Sequence, residues 1–291
     1  LGPLHEGTDR TWRRGQRMGH RASRRTPLPG RRWSRARRDR GADGRRSQRG
    51  PRCHHSPGWW SRALHPQWRE GGSGLAPRVA LCLHGFLRTG ASMLPVRSRL
   101  QQSGWTRVDT PTWRYELSDL DGLGARAAAR IEALSADSGH APVDIVSHSM
   151  GGLVTRAALR HAPPVGRIVM LAPPNQGARM AEAARRALPF HRLGWDPLAP
   201  LLPGVPDDLP DGTDVEIGVL TGGRGHRHGY NPLLGGDNDG KVRVDEAALP
   251  GATDFLVLPA HHTFVMAWPE VLSQVVHFLQ TGAFLRETSY G

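Results

Sequence analysis

A chain of 291 residues with a formal net charge of +13 can hold one large domain or two small ones, since a typical domain takes roughly 100 to 200 residues. Residues 1–70 carry 19 Arg against 5 acidic residues, a net of +14, and contain no Ile, Val or Phe; this excludes a packed core there and leaves −1 for residues 71–291. No run approaches the roughly 20 apolar residues that a membrane span needs, and the early arginines lack the apolar stretch of a secretory signal, so a cytoplasmic location is the expectation.

The Arg-rich segment comes first. A basic run can bind nucleic acid or anionic lipid by releasing counterions, but this composition is more simply that of a solvated arm. Nucleic acid is therefore expected as a partner only through this tail. The chain begins with Leu1, its single Lys is Lys241, and five of its nine Trp fall in the first 70 residues. Translation of a G+C-rich upstream or out-of-frame stretch gives such a pattern, so residues 1–75 are expected to be a disordered basic segment or a mis-assigned start. Of the two cysteines, Cys53 lies in this tail and Cys82 in the apolar run VALCL. A disulfide between them is not expected, and Cys82 reads as a small buried hydrophobe.

From Pro77 short apolar runs alternate with helix-like stretches. RVALCLHG (78–85) predicts a buried strand ending in a glycine turn, SMLPVRSRLQQSG (92–104) a helix, and WTRVDT (105–110) a second strand. DLDGLGARAAARIEALSAD (119–137) predicts a helix capped by Asp119 or Ser118. VDIVS (143–147), MGGLVTRAALRHA (150–162) and GRIVMLAPP (166–174) read as strand, helix and strand. Residues 173–214 break the alternation with one short helix and a proline-rich stretch, a possible cap or lid insertion or an ordinary long connection. DVEIGVLTG (214–222) and TDFLVLPA (253–260) predict two more strands, and WPEVLSQVVHFLQTG (268–282) a closing helix stopped by Gly282. Strands joined by helices of this length make an α/β fold, a mostly parallel sheet with helices on both faces, over residues 76–291.

Ser149 lies where strand-like VDIVS gives way to helix-like sequence, in S-H-S-M-G. A nucleophile elbow of the G-x-S-x-G kind needs small residues two before and two after the serine, because the strand-to-helix turn crowds the backbone there. Ser147 and Gly151 fill those positions. Such a turn lifts the serine oxygen off the sheet edge and leaves the Met150 N–H where an oxyanion develops; the Phe86 N–H, after the Gly85 turn, is placed to be the second donor. The serine needs a base and an orienting carboxylate, which follow it in the order acid then histidine. The loop 235–247 offers Asp237, Asp239, Asp245 and Glu246, and AHHTFVM offers His261 and His262. The spacing of this loop does not fit a calcium-binding loop, and His226 and His228 have no matching carboxylate cluster. No metal or organic cofactor is called for. Trp105, Trp113 and Trp268 read as packing residues.

LHGF, SHSMGG, APPNQG, DNDGKV and HTF in this order resemble the bacterial lipase-like and esterase-like members of the α/β-hydrolase superfamily, over about Pro77 to Phe284. The resemblance implies that Asp239, in the N-D-G-x-V loop, and His262, directly before T-F, complete a triad with Ser149. It also implies a serine hydrolase acting on a small-molecule or lipid ester, with thioesterase, amidase or acyltransferase activity as alternatives on the same triad. A protein that binds nucleic acid or acidic surfaces through its basic arm, with an inert hydrolase domain, is the alternative of another class. Asn175, Gln176 and Gly177 are expected near the site, with no role that the sequence assigns.

Overall fold

The computed structural model describes residues 77–188, 190–211 and 214–286. The Arg-rich segment 1–75 and Cys53 lie outside them. Six strands form one sheet: β1 (Arg78–Leu83), β2 (Trp105–Asp109), β3 (Val143–His148), β4 (Val165–Leu171), β5 (Ile217–Gly222) and β6 (Asp254–Leu258). Their order is β2-β1-β3-β4-β5-β6, and every neighbouring pair is parallel. Parallel neighbours need long crossovers, which α1 (Leu94–Gln102), α2 (Leu120–Ala136), α3 (Met150–Leu159), α4 (Arg179–Ala187), a short α5 (Val244–Ala247) and α6 (Pro269–Thr281) help to provide.

The strand alternation sorts side chains into two cores. Val79, Leu81 and Leu83 of β1 and Ile145 of β3 point into one, under Leu123 and Ile131 of α2 and Leu153 of α3. Ala80 and Cys82 of β1 and Val146 of β3 point into the other, with Val96 and Leu100 of α1 and Val275 and Phe278 of α6. A strand buried on both faces reads as a continuous apolar run, as VALCL does. Cys82 is a free, fully buried thiol, and that burial pushes its pKa up. On the first face the helices meet through small residues: a Cβ added at Gly124 would sit 2.7 Å from the Ala157 Cβ.

Capping follows the sequence. Asp119 is the N-cap of α2 and accepts the Gly122 N–H at 2.6 Å, and Gly282 closes α6 in the left-handed region at φ 83°. Two strands end earlier than their apolar runs suggest, at Leu171 and Leu258, while β1 ends with its run at Leu83. The residues that follow turn away at the carboxyl edge of the sheet; Ala172 does so with φ 50°. In open parallel sheets that edge is where ligands bind.

Residues 173–214 hold α4 and 3-10 turns at Phe190–Leu193, Ala199–Leu201 and Val205–Asp208. This stretch is tied to α3 by Arg156, which is buried and donates to the carbonyls of Asn175 (3.0 Å), Pro206, Leu209 and Pro210 (2.9 Å each). Among the described residues no helix is long and apolar enough to cross a membrane.

Candidate active site

The site begins at the turn between β3 and α3. Ser149 has φ 52° and ψ −125° and caps α3. A non-glycine residue in that region costs of order 1–3 kcal/mol and persists only where the surroundings impose it. Here they do: the Ser149 N–H donates to the Leu171 carbonyl on β4 at 2.9 Å, and its own carbonyl accepts the Gly152 N–H at 2.8 Å. Small residues make room. A Cβ at Gly151 would lie 2.7 Å from the carbonyl oxygens of both Leu83 and His84, and one at Gly85 would lie 3.1 Å from the Ser149 Cβ. Ser147 is fully buried.

Ser149, His262 and Asp239 come together as one hydrogen-bonded chain. The His262 Nε2 is 3.2 Å from the Ser149 Oγ, and its Nδ1 is 2.7 Å from the Asp239 Oδ2. Asp239 is fully buried; its other oxygen accepts the N–H groups of Lys241 (2.9 Å) and Val242 (2.8 Å), and its backbone carbonyl accepts the His262 N–H at 2.9 Å. A buried carboxylate satisfied on both oxygens is fixed in orientation. Gly240 follows at φ 104°, a conformation that glycine adopts without strain, so the chain reverses directly after the aspartate.

The other candidates in these loops are engaged elsewhere. Asp237 accepts backbone N–H groups from Arg224 (2.8 Å) and Gly225 (2.9 Å). Asp245 pairs with Arg243, and Glu246 accepts from the N–H groups of Arg179 (3.0 Å) and Arg243 (2.9 Å). The His261 Nδ1 accepts the Thr263 N–H at 3.3 Å, and its ring meets Tyr230 edge-on. Asn238, buried between the two aspartates, receives the N–H groups of Asn231 and Gly240 and donates to the carbonyls of Asn231 and Gly236, holding the loop from within.

Two further buried histidines frame the site, neither singled out by the sequence. His84 accepts the Trp113 N–H on Nε2 at 3.0 Å, so Nδ1 carries the proton and donates to the Gly85 carbonyl at 2.8 Å. Its ring stacks on Tyr115 at 4.5 Å, and burial holds its pKa below the ordinary value. Because a trans peptide sets C=O and N–H on opposite sides, this bond turns the Phe86 N–H away from the His84 ring. Met150 opens α3, and the first N–H groups of a helix have no intrahelical acceptor. His148 donates from Nε2 to the His262 carbonyl at 3.1 Å, with the two rings 4.9 Å apart. Burial, and after it the nearby His262, hold the His148 pKa well below the usual histidine range.

Asn175 and Gln176 clamp the acid loop from the side. The Asn175 amide donates to the Ala247 carbonyl and the Gln176 amide to the Ala248 carbonyl, both at 3.0 Å, while the Gln176 N–H reaches the Glu246 carbonyl at 2.9 Å. A cavity of about 530 Å³ opens over Ser149 and His262. Its lining includes apolar Met180, Ala181 and Ala184 of α4 with Leu198 and Leu201, together with Phe86, Arg88 and Lys241.

No protein-family model and no curated protein matches the sequence. Solved structures do. The mature lipase BlEst2 of Bacillus licheniformis is 21% identical, with a TM-score of 0.58 over 70% of this chain and 92% of its own. The phospholipase PlaB of Legionella pneumophila is 16% identical, TM-score 0.55, over 72% of this chain and 60% of its own. The metagenomic carboxyl esterase MGS0156 is 17% identical, TM-score 0.50, over 79% and 82%. At these identities the likeness is one of fold: the chain has an α/β-hydrolase fold.

Proposed function

We propose that this protein is a serine hydrolase cleaving carboxylic esters. The observation that carries the reading is the hydrogen-bonded chain Ser149–His262–Asp239, whose serine and histidine line a largely apolar cavity, with the serine held in a strained backbone conformation. In this reading the Ser149 Oγ attacks the acyl carbon while the His262 Nε2 takes its proton. Asp239 holds the imidazole by Nδ1 and stabilises its charge. The N–H groups of Phe86 and Met150 receive the oxyanion. The bond to the leaving oxygen breaks as His262 returns the proton to it, and a water activated by the same histidine then releases the acid and frees Ser149.

Fold alone fixes no chemistry, so the test is direct. The 4-nitrophenyl esters from acetate to palmitate, offered to the whole chain and to Ser149→Ala, should be turned over by the first and left intact by the second. Equal rates for the two proteins would remove Ser149 from the reaction. Turnover of matched thioesters or amides in preference to esters would shift the assignment to those acyl groups on the same residues.

A further inference from the structure

The cavity is asymmetric in charge as well as polarity. Arg88 and Lys241 both line it, and among the described residues neither is in an ion pair. Both belong to the histidine side. Arg88 is half-buried and donates to the Thr263 carbonyl, next to His262, at 2.8 Å; Lys241 follows two residues after Asp239 and gives its N–H to that carboxylate. The lining also includes Met180, Ala181 and Ala184 of α4 with Leu198 and Leu201, none of them polar.

The chemistry distinguishes these two sets of residues. The leaving oxygen takes its proton from the His262 Nε2, so the leaving group departs beside that ring, near Arg88 and Lys241, and the acyl chain takes the apolar part of the lining. Resting on the proposed serine-hydrolase reading, we infer that the substrate is an ester with an apolar acyl chain whose alcohol part carries an anionic group, phosphate or carboxylate, received by Arg88 and Lys241. Guanidinium and ammonium groups suit such an anion, and the mixture of an apolar chamber with few charged groups is how orientation is fixed in small-molecule sites.

The test compares two butyrate esters with nitrophenol leaving groups: neutral 4-nitrophenyl butyrate and 5-butyryloxy-2-nitrobenzoate, whose leaving phenol bears a carboxylate. In the wild-type chain, kcat/KM should favour the anionic ester by about ten-fold, and this preference should shrink between about 0.05 and 0.5 M salt as screening rises. In R88Q/K241Q the ratio of the two values should fall towards that of free hydroxide hydrolysis. The ratio is the readout, so a general loss of folding or rate does not imitate the result. Water-dissolved 1-hexanoyl-glycerol 3-phosphate against 1-palmitoyl-glycerol 3-phosphate carried in phosphatidylcholine vesicles then tells a free phosphate ester from a lipid headgroup. The same ratio in wild type and variant, with neutral ester still cleaved through Ser149, overturns this inference and leaves the hydrolase reading standing. No cleavage of any ester, with no labelling of Ser149 by a fluorophosphonate, overturns both.

Discussion

At the scale of single residues, the fold separates neighbours that the sequence leaves level. Asp237 and Asp239 stand two apart in one polar loop, and only the loop's path distinguishes them: Asn238 turns inward, Asp239 meets His262, and Asp237 is taken up by backbone N–H groups. In assays of the whole chain, Asp239→Asn should lower kcat by about 10⁴-fold, the size of effect seen when a triad histidine loses its orienting carboxylate. Asp237→Asn should stay within a few-fold of wild type; the reverse pattern would exchange their roles. His148 carries a pH prediction. It is neutral in the folded protein because burial depresses its pKa below 6.5, whereas the unfolded chain binds a proton near that value. The unfolded state therefore holds more protons as pH falls below about 6.5, and stability is lost from there down towards the folded pKa, at up to about 1.4 kcal/mol per pH unit for one such group. Calorimetry between pH 7.5 and 5 should show a smaller fall in Tm for His148→Gln than for wild type. Equal slopes would mean that His148 titrates alike in both states. None of this was legible in S-H-S-M-G, where His148 is only the residue before the serine; its partner is 114 positions away.

At the scale of elements, the strands and long helices were legible because alternation and capping are local signals. Their ends were less so, since β4 and β6 stop where the chain turns into the site while apolar residues continue. The four-residue α5 is too short to show a period inside an acidic loop. Arg156 is illegible for another reason. In VTRAALR it reads as a solvated arginine on a helix, and its four acceptors lie 19 to 54 residues away. Replacing it by Ala leaves those carbonyls without their charged donor, at an order-of-magnitude cost of 2–4 kcal/mol, which for a domain of this size lowers Tm by roughly 5–15 °C. Arg156→Lys should recover only part of that loss, because an ammonium cannot reach four carbonyls in the guanidinium's plane. A Tm unchanged in Arg156→Ala would show that residues 173–214 hold their position without it.

At the scale of the whole molecule, topology does what spacing cannot. Order β2-β1-β3-β4-β5-β6 puts the ends of β1 and β3 side by side, so Gly85 and Ser149 come into contact from 64 positions apart, and the loops after β5 and β6 bring Asp239 and His262 to the same edge. The chain order of serine, acid and histidine was readable, but the convergence is a property of the sheet. On the proposed function, this convergence makes Ser149 a nucleophile. Its most direct test is to treat the whole chain with a fluorophosphonate at neutral pH and locate the adduct by peptide mass spectrometry. One adduct is expected, on the peptide containing Ser149, formed much more slowly in His262→Ala; an adduct at another residue, or none on the folded protein, would remove Ser149 from that role.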